Sequence, residues 1–427
     1  MCAMYLKNMY ILNGHEDMEP ISGKAIHIND GKIAEIIDEG KIPANAEVID
    51  LGGNYLLPGL INLHVHLPAN GAPTKKKLDY KKVAKLLKLG LVRVIIRNMC
   101  AKNARDQLMS GTTTIRAVGG VLNFDTQIRD KINAGKLVGP RILAADSAIG
   151  VENGHMDGSV AQAAHSAQEA AEMVKDRDAT KPDLIKLMIT GGVLDAKVPG
   201  EPGDLKMPAD YVKAACDAAH ELGYKVAAHV EGNEGMIVAL ENGVDTIEHG
   251  GKISDEAIRQ FRETGAKLIC TLSPTIPFTK LSQEVTGFSD MDVLNGTALF
   301  NYMCELYKVC LEKKIPIGLG TDTGCPYVSH YDMWREIDYY CRFIGVTPKF
   351  AIYTATLLNA QIAEIDDETG SVDVGKFADF MVVKDNPLEN VAALQKPSHV
   401  FFKGEKVDIS KLKKNSKIDT ALSATHC

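Results

Sequence analysis

Between Leu60 and about Ala363 the chain repeats one pattern eight times, a short apolar run followed in most cases by a stretch of helical periodicity. The runs are LINLHVH, TTTIRAVGG, RILAADS, LIKLMITGG, KVAAHVE, DTIEHG, KLICTLS and IPIGLGTD. Between them lie helical segments such as PADYVKAACDAAHELG, SDEAIRQFRETG and ALFNYMCELYKVCLEKK. Eight strand–helix units over roughly 300 residues fit an α/β fold of the closed (β/α)8 barrel type better than an open doubly wound sheet.

The flanks read differently. Residues 1–57 look like short strands joined by tight turns, and IHINDGKIAEII carries an Asn-Asp-Gly turn between two alternating segments, a hairpin signal. After the barrel, ETGSVDVGKFADFMVVKDNPLENV and HVFFKGEKV return to strands and turns. The expected organisation is a barrel over 58–365 that interrupts one small β-sandwich domain, built from residues 1–57 and 366–407. A polar tail over 408–427 is expected to be mobile or to cover a neighbouring subunit. TKKKLDYKKVAKLLKLGLVRVIIRN has helical spacing and many lysines, and reads as a first barrel helix with a solvated basic face rather than a membrane-surface helix.

Bulk properties exclude several classes. A formal net charge of -7 argues against sequence-independent nucleic-acid binding. Nine cysteines without a CxxC pair suggest reduced thiols and a cytoplasmic setting, not a disulfide framework. No apolar run approaches the length of a membrane span, and the start MCAMYLKNMYILNGHE lacks an export pattern.

Six side chains able to hold metal fall at strand ends. They are His64 and His66 on the first strand, Lys186 on the fourth, His229 on the fifth, His249 on the sixth and Asp322 on the eighth. Strand residues two apart share a face, so His64 and His66 can grip one ion together. Imidazole, carboxylate and water suit zinc or a similar first-row divalent ion. Lysine is the exception, since an ammonium group offers three donors and no acceptor. It can ligate only after conversion to an anion. Taken singly, each residue has an ordinary reading: a satisfied core histidine, a helix-capping aspartate, or a lysine snorkelling from a strand end. A (β/α)8 barrel collects its chemistry at the C-terminal ends of its strands, and all six fall there. That coincidence favours one joint metal site.

These motifs, in this order, resemble the amidohydrolase superfamily in its binuclear, carboxylated-lysine type. LLPGLINLHVHL, the Lys186 strand, the two later histidine strands and GTDTG carry the likeness, and GSVDVGKFADFMVVKDNPL is similar to the family's returning β-domain. TTTIRAVGG, ENGHMDG, IKLMITGG and AAHVEG resemble the imidazolonepropionase-related peptidases, a group with Xaa-Pro dipeptidases, arginine or lysine carboxypeptidases and ochratoxin-type amidases. The resemblance implies two divalent cations, with zinc first among the candidates. His64, His66 and Asp322 would hold one ion and His229 and His249 the other, bridged by a carbamate on Lys186 formed from carbon dioxide. A bridging hydroxide would attack an amide carbonyl, and Asp322 would move its proton to the leaving nitrogen. The implied substrate is a small-molecule amide, a dipeptide or an N-acyl amino acid, and the implied assembly is a homo-oligomer.

Two positions depart from the pattern. Asn62 stands where the superfamily more often has aspartate, and Ala117 where TTIRD is more usual. Substrate contact is expected of His155, in the loop after strand three, and of His330, soon after strand eight. Arg116 is a weaker candidate, as a carboxylate binder inside the barrel. His165 and His220 read as surface or packing residues. GGVLDAKVPGEPGD, after strand four, is expected to border the pocket as a lid. The alternative enzyme reading is a binuclear cyclic-amide or urea hydrolase, or a heterocycle deaminase. A non-catalytic scaffold is a third reading, disfavoured because every ligand position is filled.

Overall fold

The computed structural model describes residues 4–73 and 80–423; of the basic segment noted above, residues 74–79 lie outside the described part. Eight barrel strands follow in chain order: β1 Leu60–Val65, β2 Thr112–Ala117, β3 Arg141–Ala144, β4 Leu184–Met188, β5 Lys225–Val230, β6 Thr246–His249, β7 Lys267–Cys270 and β8 Ile317–Leu319. β1, β2 and β4 are buried at every position, as strands enclosed on both faces must be. Their apolar character follows from that enclosure.

The strands join in sequence. β4 to β8 pair in parallel, with Lys186 opposite Ala227 and His229 opposite Glu248. Hydrogen bonds from Val118 N to Val65 O, Ala145 N to Ala117 O and Asp183 N to Ala144 O link the ends of β1, β2, β3 and β4. The ring closes where Asp322 N donates to His64 O and His66 N to Thr323 O. The (β/α)8 barrel read from the sequence is therefore the observed fold.

The third strand differs from its expected form. RILAADS does not run straight on, because Asp146 takes φ +59° and turns the chain. A second short strand, Ala148–Val151, then pairs with β4 through Ile149 and Leu187 and with Ala161–Ala164 on its other side. This detour carries the His155 loop.

The chain divides into two compact units. One comprises Met1–Leu63, Ala104–Ile115 and Tyr331–Lys413; the other comprises His64–Asn103, Arg116–His330 and Lys414–Cys427. Within the first, strands from both chain ends share one seven-stranded sheet. Met4–Ile11 lies parallel to Glu47–Pro58, which in turn pairs antiparallel with Phe380–Val383, Met381 opposite Leu57. The expected hairpin is Lys24–Asn29 with Lys32–Asp38, turned by Asp30 at φ +48° and Gly31 at φ +78°. Leu6, Ile26, Ile33, Leu56, Phe380 and Phe401 form its buried core.

The polar tail is more ordered than its composition suggests. Ser416–Ser423 is a helix whose Ile418 and Leu422, four apart on one face, are buried. Two apolar residues at helical spacing suffice to dock it, and the expectation of a mobile tail is corrected to that extent; residues 424–427 lie outside the described part. Among the described residues no helix is long and apolar enough to cross a membrane.

Candidate metal centre

His64 and His66 leave the end of β1 toward Asp322, three residues beyond β8. Asp322 Oδ1 lies 3.5 Å from His64 Nε2 and 3.3 Å from His66 Nε2. The far nitrogens are held: His64 Nδ1 meets Glu248 Oε2 at 2.7 Å, and His66 Nδ1 meets Gly119 O at 3.0 Å. Anchoring one ring nitrogen orients the other, as a metal-binding imidazole requires.

His249, at the end of β6, is fixed likewise, with Nδ1 2.6 Å from Thr271 Oγ1. Its ring centroid stands 4.6 Å from that of His64 and 4.8 Å from that of His229. His229 Nε2 faces Gly191 O at 3.3 Å, which leaves Nδ1 as its remaining nitrogen. One ligand atom each from His64, His249 and Asp322 lies within 4.8 Å of the others. All these side chains except His66 are nearly sealed from solvent.

Two of the candidates occupy unusual backbone. His249 has φ +70° and Asp322 φ +54°. Left-handed geometry costs a non-glycine residue of order 1 kcal/mol, and such strain collects at functional sites. At His249 it has a direct effect. Regular alternation would send Glu248 and His249 to opposite faces of β6, yet both reach His64.

Lys186 lies in the middle of β4, 1% exposed, and its Nζ has no hydrogen-bond partner. A buried ammonium without acceptors is costly. Burial, with Arg116 adding to it against Glu248 and Asp322, lowers its pKa to about 8. Burial likewise lowers the pKa of His64 to about 4 and depresses those of His229 and His249 well below the ordinary range. The imidazoles are thus neutral at pH 7, with lone pairs available. Burial pushes Asp322 up, but His66, His64 and His249 together hold it well below the usual carboxylate range. Three neutral imidazoles, an anion and an orphaned amine fit a divalent metal centre by donor chemistry.

The remaining expectations fall out unevenly. His155 stacks on His229 with ring centroids 4.1 Å apart, and its Nδ1 meets Asp195 Oδ2 at 2.5 Å. Its partner is therefore in the loop after β4 and not the neighbouring Asp157, which binds Asn153 N instead. His330 is buried, with Nε2 2.6 Å from Ala69 O, and burial lowers its pKa to about 4. Arg116 does point into the barrel, where Nη2 binds Glu248 Oε1 at 2.7 Å and Nη1 binds Thr246 at 3.2 Å. It serves an internal carboxylate. Asn62 is fully buried, and Ala117 O accepts the Ala145 N–H. His165 and His220 are exposed, the latter paired with Asp245 at 2.8 Å.

Sequence reasoning missed Glu248, Thr271 and Glu231. Glu231 offered one signal, its position two residues after His229 on the same strand face. Burial, with Asp322 and Asp195 beside it, pushes its carboxyl up to about 8, against an N–H from Val193.

The amidohydrolase family profile matches residues 55–407. The chain belongs to the amidohydrolase family. A provisionally assigned prolidase from Bifidobacterium longum has the same fold, with TM-score 0.88, 33% identity and coverage of 100% of this chain and 99% of that one. A Xaa-Pro dipeptidase with methionine bound in its active site gives TM-score 0.82, 28% identity and coverage of 95% and 99%. The ochratoxinase of Aspergillus niger is 25% identical over 426 residues, covering 92% of this chain and 84% of its own. This amidohydrolase is accordingly a hydrolase of C–N bonds.

Proposed function

We propose that this amidohydrolase cleaves the amide bond of a dipeptide or an N-acyl amino acid at a two-metal centre. The observation that carries the reading is the convergence of His64, His249 and Asp322 within 4.8 Å beside the unpartnered amine of Lys186. The likeness to a Xaa-Pro dipeptidase and to ochratoxinase supports the peptide-type substrate.

In this reading His64, His66 and Asp322 would hold one divalent ion and His229 and His249 the other, with Lys186, as a carbamate, supplying a further anionic ligand. Zinc is the expected metal. The bound ions would supply a water acidified toward neutrality and a positive charge to polarise the carbonyl. The protein's own contribution is to fix each imidazole through Glu248, Gly119, Thr271 and Gly191, and to keep Asp322 ionised. Asp322 takes the proton of the attacking water and delivers it to the departing nitrogen. His155, braced by Asp195 and stacked on His229, is the proposed contact for the substrate carboxylate or the developing oxyanion, with His330 a second wall residue.

Carbamate formation needs a neutral amine, whose nitrogen attacks carbon dioxide and then loses a proton. A lysine with pKa about 8 is neutral in roughly a tenth of molecules at pH 7, far more often than an ordinary lysine. A cytoplasmic homo-oligomer completes the proposal. Seven described cysteines are free thiols, and Leu86, Leu89, Leu91 and Ile95 are exposed at the junction of two successive helices, Tyr80–Leu86 and Gly90–Met109.

The test is a hydrolysis screen of zinc-loaded protein against dipeptides and N-acyl amino acids, reading released amino acid by mass spectrometry. Release of one C-terminal class is the expected result. Silence from protein holding two metals per chain would shift the reading to a cyclic amide or urea.

A further inference from the structure

Glu231 belongs to none of the roles above, yet its surroundings are built with care. Its backbone is gripped from two sides. A Cβ on Gly203 would come within 2.4 Å of the Glu231 carbonyl carbon, and one on Gly251 within 2.5 Å of its carbonyl oxygen, so only glycine fits at either place. Thr190 Oγ1 accepts its N–H at 3.0 Å. The residue is held in one position by three segments that meet behind it.

The side chain held there is a carboxyl group in an acidic setting. Its Oε2 is sealed from solvent and has no hydrogen-bond partner, and Glu231 forms no ion pair among the described residues. The charges that act on it are those of Asp322 and Asp195, both of its own sign. Of the two lysines in the neighbouring loop, Lys206 is committed to Asp204 at 2.6 Å, and Lys197 forms no ion pair with Glu231. A Cβ built on Gly192 would lie 3.5 Å from Oε2 and 2.8 Å from His155 Cε1, so the carboxylate shares a corner with the histidine that stacks on His229. A rigid carboxyl group beside the reacting centre, with an unsatisfied oxygen and no cation of the protein's own, is complementary to a cation brought by the substrate, whose approach favours the ionised form.

We propose that Glu231 receives the α-ammonium group of the substrate, and that the enzyme therefore selects free dipeptides over N-acylated amino acids. The inference rests on the two-metal amide hydrolase reading above and narrows its substrate class. In a free dipeptide the ammonium sits one carbon from the scissile carbonyl, so an anchor close to the metal ligands is in the right neighbourhood. Glu231 acts on substrate binding and takes no part in proton transfer.

The experiment compares kcat/KM of zinc-loaded protein on dipeptides and on the same dipeptides N-acetylated, for the natural chain and for Glu231→Gln. The natural chain is expected to prefer the free amine by about 10- to 100-fold, the worth of one charged hydrogen bond. In E231Q the preference should collapse toward unity through a raised KM for the free dipeptide, with the N-acetylated kinetics unchanged within about threefold. Glu231→Asp should restore part of the preference, and it is the variant to read if E231Q loses its fold or its metal. Calorimetry of the N-terminal product amino acid should show binding to the natural chain that weakens in E231Q by a similar factor. Equal activity on free and acetylated substrates, or an equal loss on both in E231Q, would overturn the inference and leave the amide hydrolase standing. A preference that follows a basic side chain and not the α-amine would overturn it as well. If neither substrate form is cleaved, the parent reading falls and takes this one with it.

Discussion

His64 Nδ1 lies 2.7 Å from Glu248 Oε2 inside the barrel, and the other oxygen of that carboxylate is bound by Arg116 at 2.7 Å. Although burial opposes it, Arg116 beside Glu248, with His64, holds this carboxyl far below the usual range. Glu248 thus stays anionic, keeps His64 Nδ1 protonated and presents Nε2 toward Asp322. Glu248→Gln should weaken metal binding by about 10- to 100-fold, measured by chelator competition. Glu248→Ala should also strand the Arg116 charge and lower stability by roughly 3–5 kcal/mol in denaturant unfolding. Because its pKa is depressed in the fold, Glu248 stabilises above the ordinary glutamate pKa, and this contribution is lost as pH falls below it.

Lys186 gives a pH signature of the same sign in a more alkaline window. Its pKa falls from 10.5 to about 8 on burial, so below pH 8 the metal-free fold carries a penalty of roughly 3 kcal/mol. Between pH 8 and 10.5 the unfolded chain holds a proton that the fold has lost. Stability of the metal-free protein should therefore rise with pH across that window. Lys186→Met should remove the slope, raise metal-free stability at pH 7 and abolish turnover. An unchanged slope in urea melts of the variant would assign the titration elsewhere. Carbon-13 bicarbonate should give a carbamate resonance in the natural chain alone.

Much of this was legible in the sequence, for definite reasons. Barrel strands enclosed on both faces must be apolar throughout, so the eight runs stood out, and a polar residue ending such a run is conspicuous. His64, His66, Lys186, His229 and His249 were visible on that ground. What stayed hidden depended on backbone irregularity or on distant partners. Glu248 was masked because period-two alternation assigns it the face opposite His249, an assignment undone by φ +70° at His249. The break in strand three follows from φ +59° at Asp146, which no local residue pattern announces. Asp195 lies 40 positions from His155, and nothing in the spacing joins a loop aspartate to a histidine in another loop.

Asp322 offers the direct test of proton transfer. Its Oδ1 sits between two imidazole nitrogens, and the surrounding histidines keep it ionised against its burial. Asp322→Asn preserves size but cannot accept a proton. With metal supplied in excess, kcat should fall about 10²- to 10⁴-fold, while the far-ultraviolet circular dichroism spectrum is retained. A variant with normal kcat would move the proton shuttle to another residue.

The loop after β4 is anchored at two places, through Asp195 and through Gly200. Asp195 Oδ2 braces His155 at 2.5 Å and also accepts the Gly192 N–H at 3.2 Å, while Gly200 N is tied to Asn295 Oδ1 at 2.6 Å. Burial raises the Asp195 pKa, but His155 outweighs it and the net direction is downward. The carboxylate therefore fixes at once the tautomer of His155 and the first turn of the loop. Asp195→Asn should leave metal content unchanged, since none of the six candidate ligands touches it. It should raise KM by about 10-fold, the cost of weakening one charge-assisted hydrogen bond. Asn295→Ala frees the far anchor without touching His155. If the loop matters only as a cover, both substitutions should raise KM alike; if His155 contacts the substrate carboxylate, the Asp195 variant should be the more impaired, and its defect relative to the natural chain should shrink when the substrate's C-terminal carboxylate is replaced by an amide.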